Sequence, residues 1–375
     1  MARVVFILGA GASEDIGAPL ISDFLDKAED LKRGDKLSVE DRGSFENVFE
    51  SLGRLRGIDS KCLINLDNIE EVFNTIEMGQ IIGHLGELDG EQIDGLAGAI
   101  RRLIVCTLEK SIQFEWEGNT IIPVGTYVDF VRLLGELKTR GSAWSSAVIT
   151  FNYDIAIDFA MDRAGLGIDY GFKNGTRAGG MPVLKLHGSV NWGLCDNCGE
   201  LDAVKVGDHA YKQGVYVGPN PLGDSKCCMS VSSSLRGLVH KRCGKELDGQ
   251  PFIVPPTLNK AQHHARISPV WKRAAEELAD AEYVYVIGYS MPEADNFFRY
   301  LLAVGLFSST RLRKFKVLDP DERLAERYKS ILGQSTKRRF DSAPVKFQEA
   351  MPIIEDDLGL YDEGPGIAVW NTSDE

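Results

Sequence analysis

An apolar run followed at once by a glycine-rich turn constrains this chain most. The residues from Val4 to Leu8 are all apolar, and the sequence continues as Gly9-Ala10-Gly11-Ala12-Ser13. Such a run is typical of a strand buried on both faces of a parallel sheet. Glycine has no Cβ, so a ligand can approach the backbone of the turn closely, and amides at a helix start favour an anion such as a pyrophosphate. The alternative is a tight strand-to-helix turn without a ligand.

Position 14 narrows the kind of site that this turn can form. The dinucleotide-binding fingerprint of dehydrogenases has a third glycine at this position, whereas the chain has Glu14. A nucleotide bound here is therefore not expected to act as a hydride carrier in the usual dehydrogenase manner.

Strand-like and helical segments alternate through much of the chain. Further apolar strands are predicted at 147–151, 183–186, 252–256, 283–287 and 315–318, with helices at 155–163, 270–281 and 297–306. This alternation predicts an α/β fold with a Rossmann-like, doubly wound parallel sheet. Residues 1–30, 141–190 and 251–349 are expected to form that domain.

Three other regions depart from the alternating pattern. Residues 31–140 carry apolar side chains at helical spacing, which predicts a helical insertion between the first two strands of the sheet. Residues 191–250 look loop-like and contain five of the seven cysteines. Residues 350–375 form an acidic tail to which the pattern assigns no fold.

Polar residues follow the ends of several predicted strands. In an open parallel sheet, ligands bind at the carboxyl ends of the strands, so this shared position favours one common site. Asn152 offers a donor and an acceptor, and His187 can act as a base near neutral pH. Taken alone, His187 also fits a loop histidine with its hydrogen bonds satisfied. The strand-end residues are Asn152, Asp154, His187, Gly288, Ser290 and Asp319.

The cysteine-rich region contains two short knuckles. One is Cys195-Asp196-Asn197-Cys198 and the other is His240-Lys241-Arg242-Cys243. Three sulfurs and one nitrogen suit a closed, tetrahedral, structural zinc site. Cys227 or Cys228 is an alternative fourth ligand in place of His240, and scattered free thiols are the plainer alternative.

Charge and hydropathy exclude several functions. The chain has 55 acidic and 42 basic side chains, for a net charge of −13, so its global field opposes sequence-independent nucleic-acid binding. No apolar run approaches the roughly 18 residues of a membrane span, and the first strand lacks the features of a signal peptide. A cytoplasmic protein is expected, whose cysteines are thiols or metal ligands.

In their order along the chain, these motifs resemble the sirtuin superfamily. Sirtuins have a Gly-Ala-Gly-x-Ser loop, a Thr-Gln-Asn-x-Asp strand end, a His-Gly strand end, a two-knuckle zinc module and a Gly-x-Ser strand end. This chain shows the loop at 9–13, Thr150-Phe151-Asn152-Tyr153-Asp154, His187-Gly188, the cysteine module and Gly288-Tyr289-Ser290. Its Gly17-Ala18-Pro19 is similar to the Gly-Ile-Pro that follows the sirtuin loop.

Three departures narrow the resemblance. Phe151 replaces the sirtuin glutamine, and the Asp-Phe-Arg that follows the sirtuin glycine loop is not reproduced. Ile253-Val254-Pro255-Pro256-Thr257 replaces the Phe-Gly-Glu segment that pairs with the acyl-lysine peptide. The resemblance therefore implies an NAD+ pocket without the peptide groove. This combination, with the insertion around Asn68 to Phe73, resembles the bacterial sirtuin-like family of antiphage defence, whose members hydrolyse NAD+ alone or with a partner such as a HerA-type ATPase or an Argonaute.

The resemblance implies roles for the strand-end residues. Asn152 would position the water or the ribose, His187 would act as the base, and Asp154 would hold the nicotinamide carboxamide. Asp319 would accept a hydrogen bond from the adenosine ribose. The remaining cofactor-binding residues would be Gly9, Ala10, Gly11, Ser13, Pro19, Gly288 and Ser290.

Two other functions stay open at this stage. One is an NAD-dependent protein deacylase, which needs an acyl peptide to turn NAD+ over. The other is a non-catalytic module that senses NAD+ or ADP-ribose. Because an unregulated NAD+ hydrolase would kill its host, we expect a homo-oligomer whose activity is held off until a trigger arrives.

Overall fold

The computed structural model describes most of the chain. The described residues are 2–34, 37–57, 63–117, 120–172, 179–206, 216–219, 226–257, 261–292, 295–307 and 311–360. Cys62 and the end of the acidic tail, residues 361–375, lie outside this part.

Strands and helices alternate along the described chain. The strands are β1 (Ala2–Leu8), β2 (His84–Leu85), β3 (Leu88–Asp89), β4 (Glu115–Glu117), β5 (Thr120–Ile122), β6 (Trp144–Thr150), β7 (Ile168–Asp169), β8 (Met181–Lys185), β9 (Gly188–Leu194), β10 (Leu201–Ala203), β11 (Tyr216–Pro219), β12 (Cys227–Ser230), β13 (Pro251–Ile253), β14 (Tyr283–Ile287), β15 (Lys314–Leu318) and β16 (Phe340–Ala343). The α-helices are α1 (Phe24–Arg33), α2 (Val39–Arg56), α3 (Ile69–Ile82), α4 (Gly90–Ser111), α5 (Thr126–Thr139), α6 (Ala156–Arg163), α7 (Ala261–Ala279), α8 (Asn296–Phe307), α9 (Arg323–Ile331), α10 (Gln334–Lys337) and α11 (Phe347–Leu358). Short 3-10 helices span Ala10–Ile16, Gly141–Ala143 and Ser232–Leu235.

Seven strands form one parallel sheet in the order β16-β15-β14-β1-β6-β8-β7. From β1, the chain builds outward through β6 and β8 on one side, and then through β14, β15 and β16 on the other. The order therefore reverses between β1 and β14. A reversal of this kind leaves a crevice at the carboxyl ends of the two strands.

Helices cover both faces of this sheet, as the alternation of side chains along β1 requires. Val4 and Phe6 belong to a core shared with the insertion helices, α5 and α11. Val5 and Ile7 belong to a second core, which contains side chains of α7, α8 and α9. The predicted α/β fold with a doubly wound parallel sheet is therefore confirmed.

Two details of the predicted strands differ from the structure. The segment predicted as a strand at 252–256 forms β13, which pairs antiparallel with β9 in a separate sheet of β10, β9 and β13. Strand 315–318 was expected to be the last, but β16 follows it at the edge. Its sequence, Phe-Asp-Ser-Ala, lacks the apolar pattern of a buried strand, and its two central side chains are exposed.

Helices α1 to α5 lie between β1 and β6 in the sequence, and α2 to α5 fall within residues 31–140, where helical spacing was predicted. Capping fixes their starts: the Asn68 side chain accepts from the Glu70 amide at 2.8 Å, and Asp89 with Gln92 forms a capping box before α4. At the other end of the chain, α11 occupies part of the tail to which the sequence pattern assigned no fold. In the described portion, every helix is too short or too polar to cross a bilayer.

Candidate active site

Two loops meet at the point where the strand order reverses. The Gly9 amide donates to the Ile287 carbonyl at 3.1 Å, and the Gly11 amide donates to the Gly288 carbonyl at 2.9 Å. A Cβ on Gly9 would lie 2.5 Å from the Gly288 oxygen, and one on Gly288 would lie 2.5 Å from the Ala12 nitrogen. The glycines therefore allow two backbones to touch. Contact between the two loops therefore requires glycine at these positions, in addition to the close approach of a ligand that the sequence suggested.

The second loop holds an unusual backbone conformation beside Ser290. Gly288 has φ +59°, and Met291, which is buried, has φ 51°. A residue with a long apolar side chain rarely adopts a positive φ, so this conformation costs about 1–3 kcal/mol and persists only where the surroundings impose it. The turn thus fixes the direction in which the exposed Ser290 faces the cavity described below.

Ser13 lies beneath the first loop rather than at the cavity surface. It is fully buried and donates to the Asp154 carboxylate at 2.9 Å. Its hydroxyl oxygen also accepts from the Asn152 amide at 3.1 Å and lies 2.8 Å from the Tyr127 hydroxyl. A second bond, from the Asn152 amide to the Gly9 carbonyl at 2.9 Å, completes the support. This network fixes the Asn152 side chain against the glycine loop.

Asp154 is the charged member of this network. Its carboxylate accepts from Ser13 and, at 2.9 Å, from the Ala156 amide. Burial raises the pKa of Asp154, while the charge of Lys185 and these hydrogen bonds oppose that rise. Asp154 is 5% exposed and does not line the cavity. It binds Ser13, whose hydroxyl in turn accepts from Asn152.

His187 follows β8 and forms a close pair with a residue that the sequence did not single out. Its Nε2 lies 3.0 Å from a carboxylate oxygen of Asp295, and both side chains are more than 90% buried. The imidazole packs edge-on against Phe151, with ring centroids 5.0 Å apart. Its backbone carbonyl accepts from the Val254 amide at 2.7 Å. Phe151 therefore forms part of the wall that holds the histidine.

A cavity of about 1000 Å³ opens at the carboxyl ends of the strands. This volume is at the upper end of the about 300–1,000 Å³ typical of small-molecule pockets. Seven of the residues predicted from the sequence line it: Ala10, Gly11, Asn152, His187, Gly288, Ser290 and Asp319. The others, Gly9, Ser13, Pro19 and Asp154, do not line it and lie in the surrounding support.

The cavity wall is rich in carboxylates. Lys346, just before α11, is the lysine of the wall and lies 4.0 Å from the Glu14 carboxylate. Burial, with the negative charges of Asp321 and Glu14, raises the pKa of Asp319. Such a wall favours positive charge inside the cavity. The carboxylates are Glu14, Asp15, Asp67, Glu70, Asp295, Asp319 and Asp321.

The insertion closes one side of the cavity. Asn65, Asn68 and Glu70, at and before the start of α3, line it. Further along α3, Asn74 and Glu77 bond with the hydroxyl of Thr257, which is fully buried. Helix α3 therefore packs on the segment at 253–257. Sequence periodicity predicted the helix but carried no signal for this contact.

The two cysteine knuckles come together away from the cavity wall. The ligand atoms of Cys195, Cys198, His240 and Cys243 all lie within 4.8 Å of one another. Cys195 Sγ is 3.4 Å from Cys243 Sγ, and His240 Nδ1 is 3.3 Å from the sulfurs of Cys198 and Cys243. Zinc–sulfur bonds of about 2.3 Å in a tetrahedron would place the sulfurs about 3.8 Å apart. The donor set and spacing fit a structural zinc ion.

Cys227 and Cys228 do not belong to this group. Both are buried in β12, where the Cys227 amide and carbonyl pair with the backbone of Phe114. The described residues thus give His240 as the nitrogen donor of the four-residue group.

Several solved structures are similar to this chain, and two of them are described here. No protein-family model matches the chain, and no curated protein matches it. One similar structure is of Sir2 with an inhibitor, 2'-O-acetyl-ADP-ribose and a deacetylated peptide; it is 15% identical, covers 96% of this chain and 94% of that chain, and has a TM-score of 0.35. A second, described as a structural basis for the mechanism and regulation of Sir2 enzymes, is 15% identical, covers 96% and 92%, and has a TM-score of 0.38.

Proposed function

We propose that this protein hydrolyses NAD+ to nicotinamide and ADP-ribose. The observation that carries the proposal is the cavity at the strand reversal, into which Asn152 and His187 open from adjacent strands, β6 and β8. Asn152 is held against the glycine loop, and His187 is held by Asp295. An amide and an imidazole on one wall can orient a water and take up its proton.

The acidic wall fits this reaction. Departure of nicotinamide leaves positive charge on the ribose, as in the oxocarbenium-like transition states of glycoside hydrolysis. Carboxylates such as Asp295 and Glu70 stabilise that charge where it develops. The anionic pyrophosphate would lie against the Ala10–Gly11 turn, which lines the cavity and where glycine leaves room for close approach, with Lys346 as a nearby cation.

The segment at 253–257 favours hydrolysis over protein deacylation. An extended peptide substrate needs free backbone groups with which to pair. Here the Val254 amide donates to the His187 carbonyl, and the Val254 carbonyl accepts from the Tyr153 hydroxyl at 2.6 Å. Pro255 and Pro256 have no amide hydrogen, and α3 packs on Thr257. Few backbone groups of this segment remain for a peptide to pair with. We therefore propose that water, and not an acyl peptide, accepts the ADP-ribose.

The test is to incubate the purified full-length protein with NAD+ and to measure nicotinamide, with and without an acetylated peptide. We expect release without the peptide, and a loss of at least about 100-fold in His187→Ala and in Asn152→Ala, whose folds are checked by circular dichroism. Peptide-dependent release would indicate a deacylase. Tight NAD+ binding without turnover under every partner condition would indicate a sensing module.

The biological role is part of the same proposal. We propose that NAD+ depletion serves antiphage defence in the cytoplasm and that the activity is held off by self-association or by a partner such as a HerA-type ATPase or an Argonaute. Exposed apolar side chains on one face of α8, among them Tyr300, Val304 and Phe307, support a contact with another protein. Phage challenge of cells that carry wild-type protein or His187→Ala, with NAD+ measured over time, tests this role.

A further inference from the structure

The pairing of His187 with Asp295 is the most specific arrangement in the cavity. Asp295 lies just before α8, and its carboxylate is 3.0 Å from His187 Nε2. Its second oxygen accepts from the Tyr289 hydroxyl at 2.9 Å. The Tyr328 hydroxyl donates to the Tyr289 carbonyl at 2.9 Å, and the Tyr289 ring stacks on Phe151 at 4.1 Å. Tyr289 thus holds the Asp295 carboxylate on the side away from His187, and Tyr328 of α9 holds Tyr289.

This contact determines which nitrogen of His187 carries a proton. A neutral imidazole has one N–H, and a carboxylate can only accept a hydrogen bond. The proton therefore resides on Nε2, and Nδ1 is left as the basic nitrogen. When Nδ1 takes up a second proton, the same carboxylate stabilises the imidazolium.

Among the described residues, the titratable groups around the pair include three tyrosines, Tyr153, Tyr289 and Tyr328, and Glu70. Tyr153 packs with its ring centroid 6.0 Å from that of His187. Burial and the negative charges of Asp295 and Glu70 raise the pKa of Tyr153 and Tyr289 well above 10. Tyr153 and Tyr289 therefore stay protonated near neutral pH and place no negative charge beside His187.

We propose that Asp295 is a positioning residue that holds the Nε2 proton of His187 and makes Nδ1 the acceptor of the proton from the attacking water. This inference rests on the proposed NAD+ hydrolysis. In that step the water oxygen bonds to the ribose C1', and the bond from C1' to the nicotinamide nitrogen breaks. Its electron pair leaves with nicotinamide, which becomes neutral, and the water proton passes to Nδ1.

Two measurements on Asp295→Asn test the assignment. Without the carboxylate we expect kcat for nicotinamide release to fall by about 100-fold or more, and the acidic limb of kcat/KM to move to lower pH by at least about one unit. In 15N-histidine-labelled protein without NAD+, His187 should show its proton on Nε2 in the wild type, and its titration midpoint should fall by a similar amount in the variant. The spectrum of His187→Gln assigns this signal among the six histidines.

Matched variants separate this role from loss of folding. Asp357→Asn removes another buried carboxylate, which pairs with Lys316 at 3.1 Å away from the cavity, and should leave the His187 signal and the pH profile unchanged. Asp295→Glu keeps the negative charge, so its kcat and its His187 titration midpoint should lie between those of the wild type and Asp295→Asn. An unchanged His187 tautomer and midpoint in Asp295→Asn would overturn the assignment. If the NMR changes occur but no wild-type preparation releases nicotinamide, the pairing stands and the proposed hydrolysis fails.

Discussion

At the residue scale, the carboxylate at the end of β15 bears on substrate choice. Asp319 accepts from the Asp321 amide at 2.9 Å and lies in the cavity wall, where burial, together with the negative charges of Asp321 and Glu14, raises its pKa. A carboxylate in this position of a doubly wound sheet suits a ribose hydroxyl, whereas a phosphate in place of the hydroxyl would meet like charge.

We therefore expect the protein to use NAD+ in strong preference to NADP+. In Asp319→Asn with Asp321→Asn, the ratio of kcat/KM for NAD+ to that for NADP+ should fall by about 10-fold or more, mainly through a better KM for NADP+. Nicotinamide release measured with each nucleotide gives the ratio. An unchanged ratio would place the adenosine ribose elsewhere in the cavity.

The site residues that the sequence predicted lie at strand ends, whereas the one that it missed lies on a loop. Asn152 and His187 directly follow apolar strands, and the carboxyl ends of parallel strands converge at one edge. Asp295 follows β14 only after a turn through Met291 at positive φ, so its place depends on a loop that periodicity does not describe. Ser13 and Asp154, which the sequence assigned to ligand binding, are buried and hydrogen-bond with each other.

At the scale of elements, α4 is joined to the segment after β12 by a buried carboxylate. Glu109 accepts from the Ser232 amide at 2.7 Å and from its hydroxyl at 2.8 Å. Burial outweighs these bonds and raises the pKa of Glu109 from 4.5 to about 7. The helix and the 3-10 turn at Ser232–Leu235 are thus held together by a group that titrates near neutral pH.

This contact predicts a pH-dependent stability. The pKa of Glu109 is higher in the folded chain, so the folded state binds the proton more tightly, and its contribution is present below about pH 4.5 and lost as pH rises through about 7. The loss is up to about 3 kcal/mol of unfolding free energy. Urea unfolding at pH 5, 6 and 7 should show a steeper decline in the wild type than in Glu109→Gln. If the unfolding free energies of the wild type and of Glu109→Gln fall in parallel with pH, Glu109 is not the source of the pH dependence.

Elements were predictable where apolar residues follow a regular pattern, either along one face of a helix or as a continuous run in a strand buried on both faces. The helices of the insertion and the central strands have that pattern, and they form where periodicity predicts them. The edge strand β16 is short and largely exposed, so its formation depends on pairing with β15 and not on its own sequence. Likewise, the packing of α3 on Thr257 depends on how the insertion folds back over the sheet.

At the scale of the whole molecule, the sheet and the cysteine knuckles are physically continuous. β9 starts at Gly188, directly after His187, and ends at Leu194, directly before Cys195. β13 pairs with β9 and leads to Val254, which bonds to the His187 carbonyl. Cys195 of the four-residue group thus follows one end of β9, and His187 precedes the other end.

Removal of a metal ion from the cysteine knuckles should therefore destabilise the active site, although the ion itself takes no part in the reaction. We expect about one zinc ion per chain, and expect chelation or Cys243→Ser to lower the unfolding midpoint and nicotinamide release together, because metal binding and folding of such modules are coupled. Metal content by atomic absorption, with thermal unfolding and activity on the same samples, measures this. Cys228 is a buried cysteine outside the group, so the Cys228→Ala variant should keep its zinc. If Cys228→Ala loses zinc and His240→Ala retains it, Cys228 is the fourth ligand.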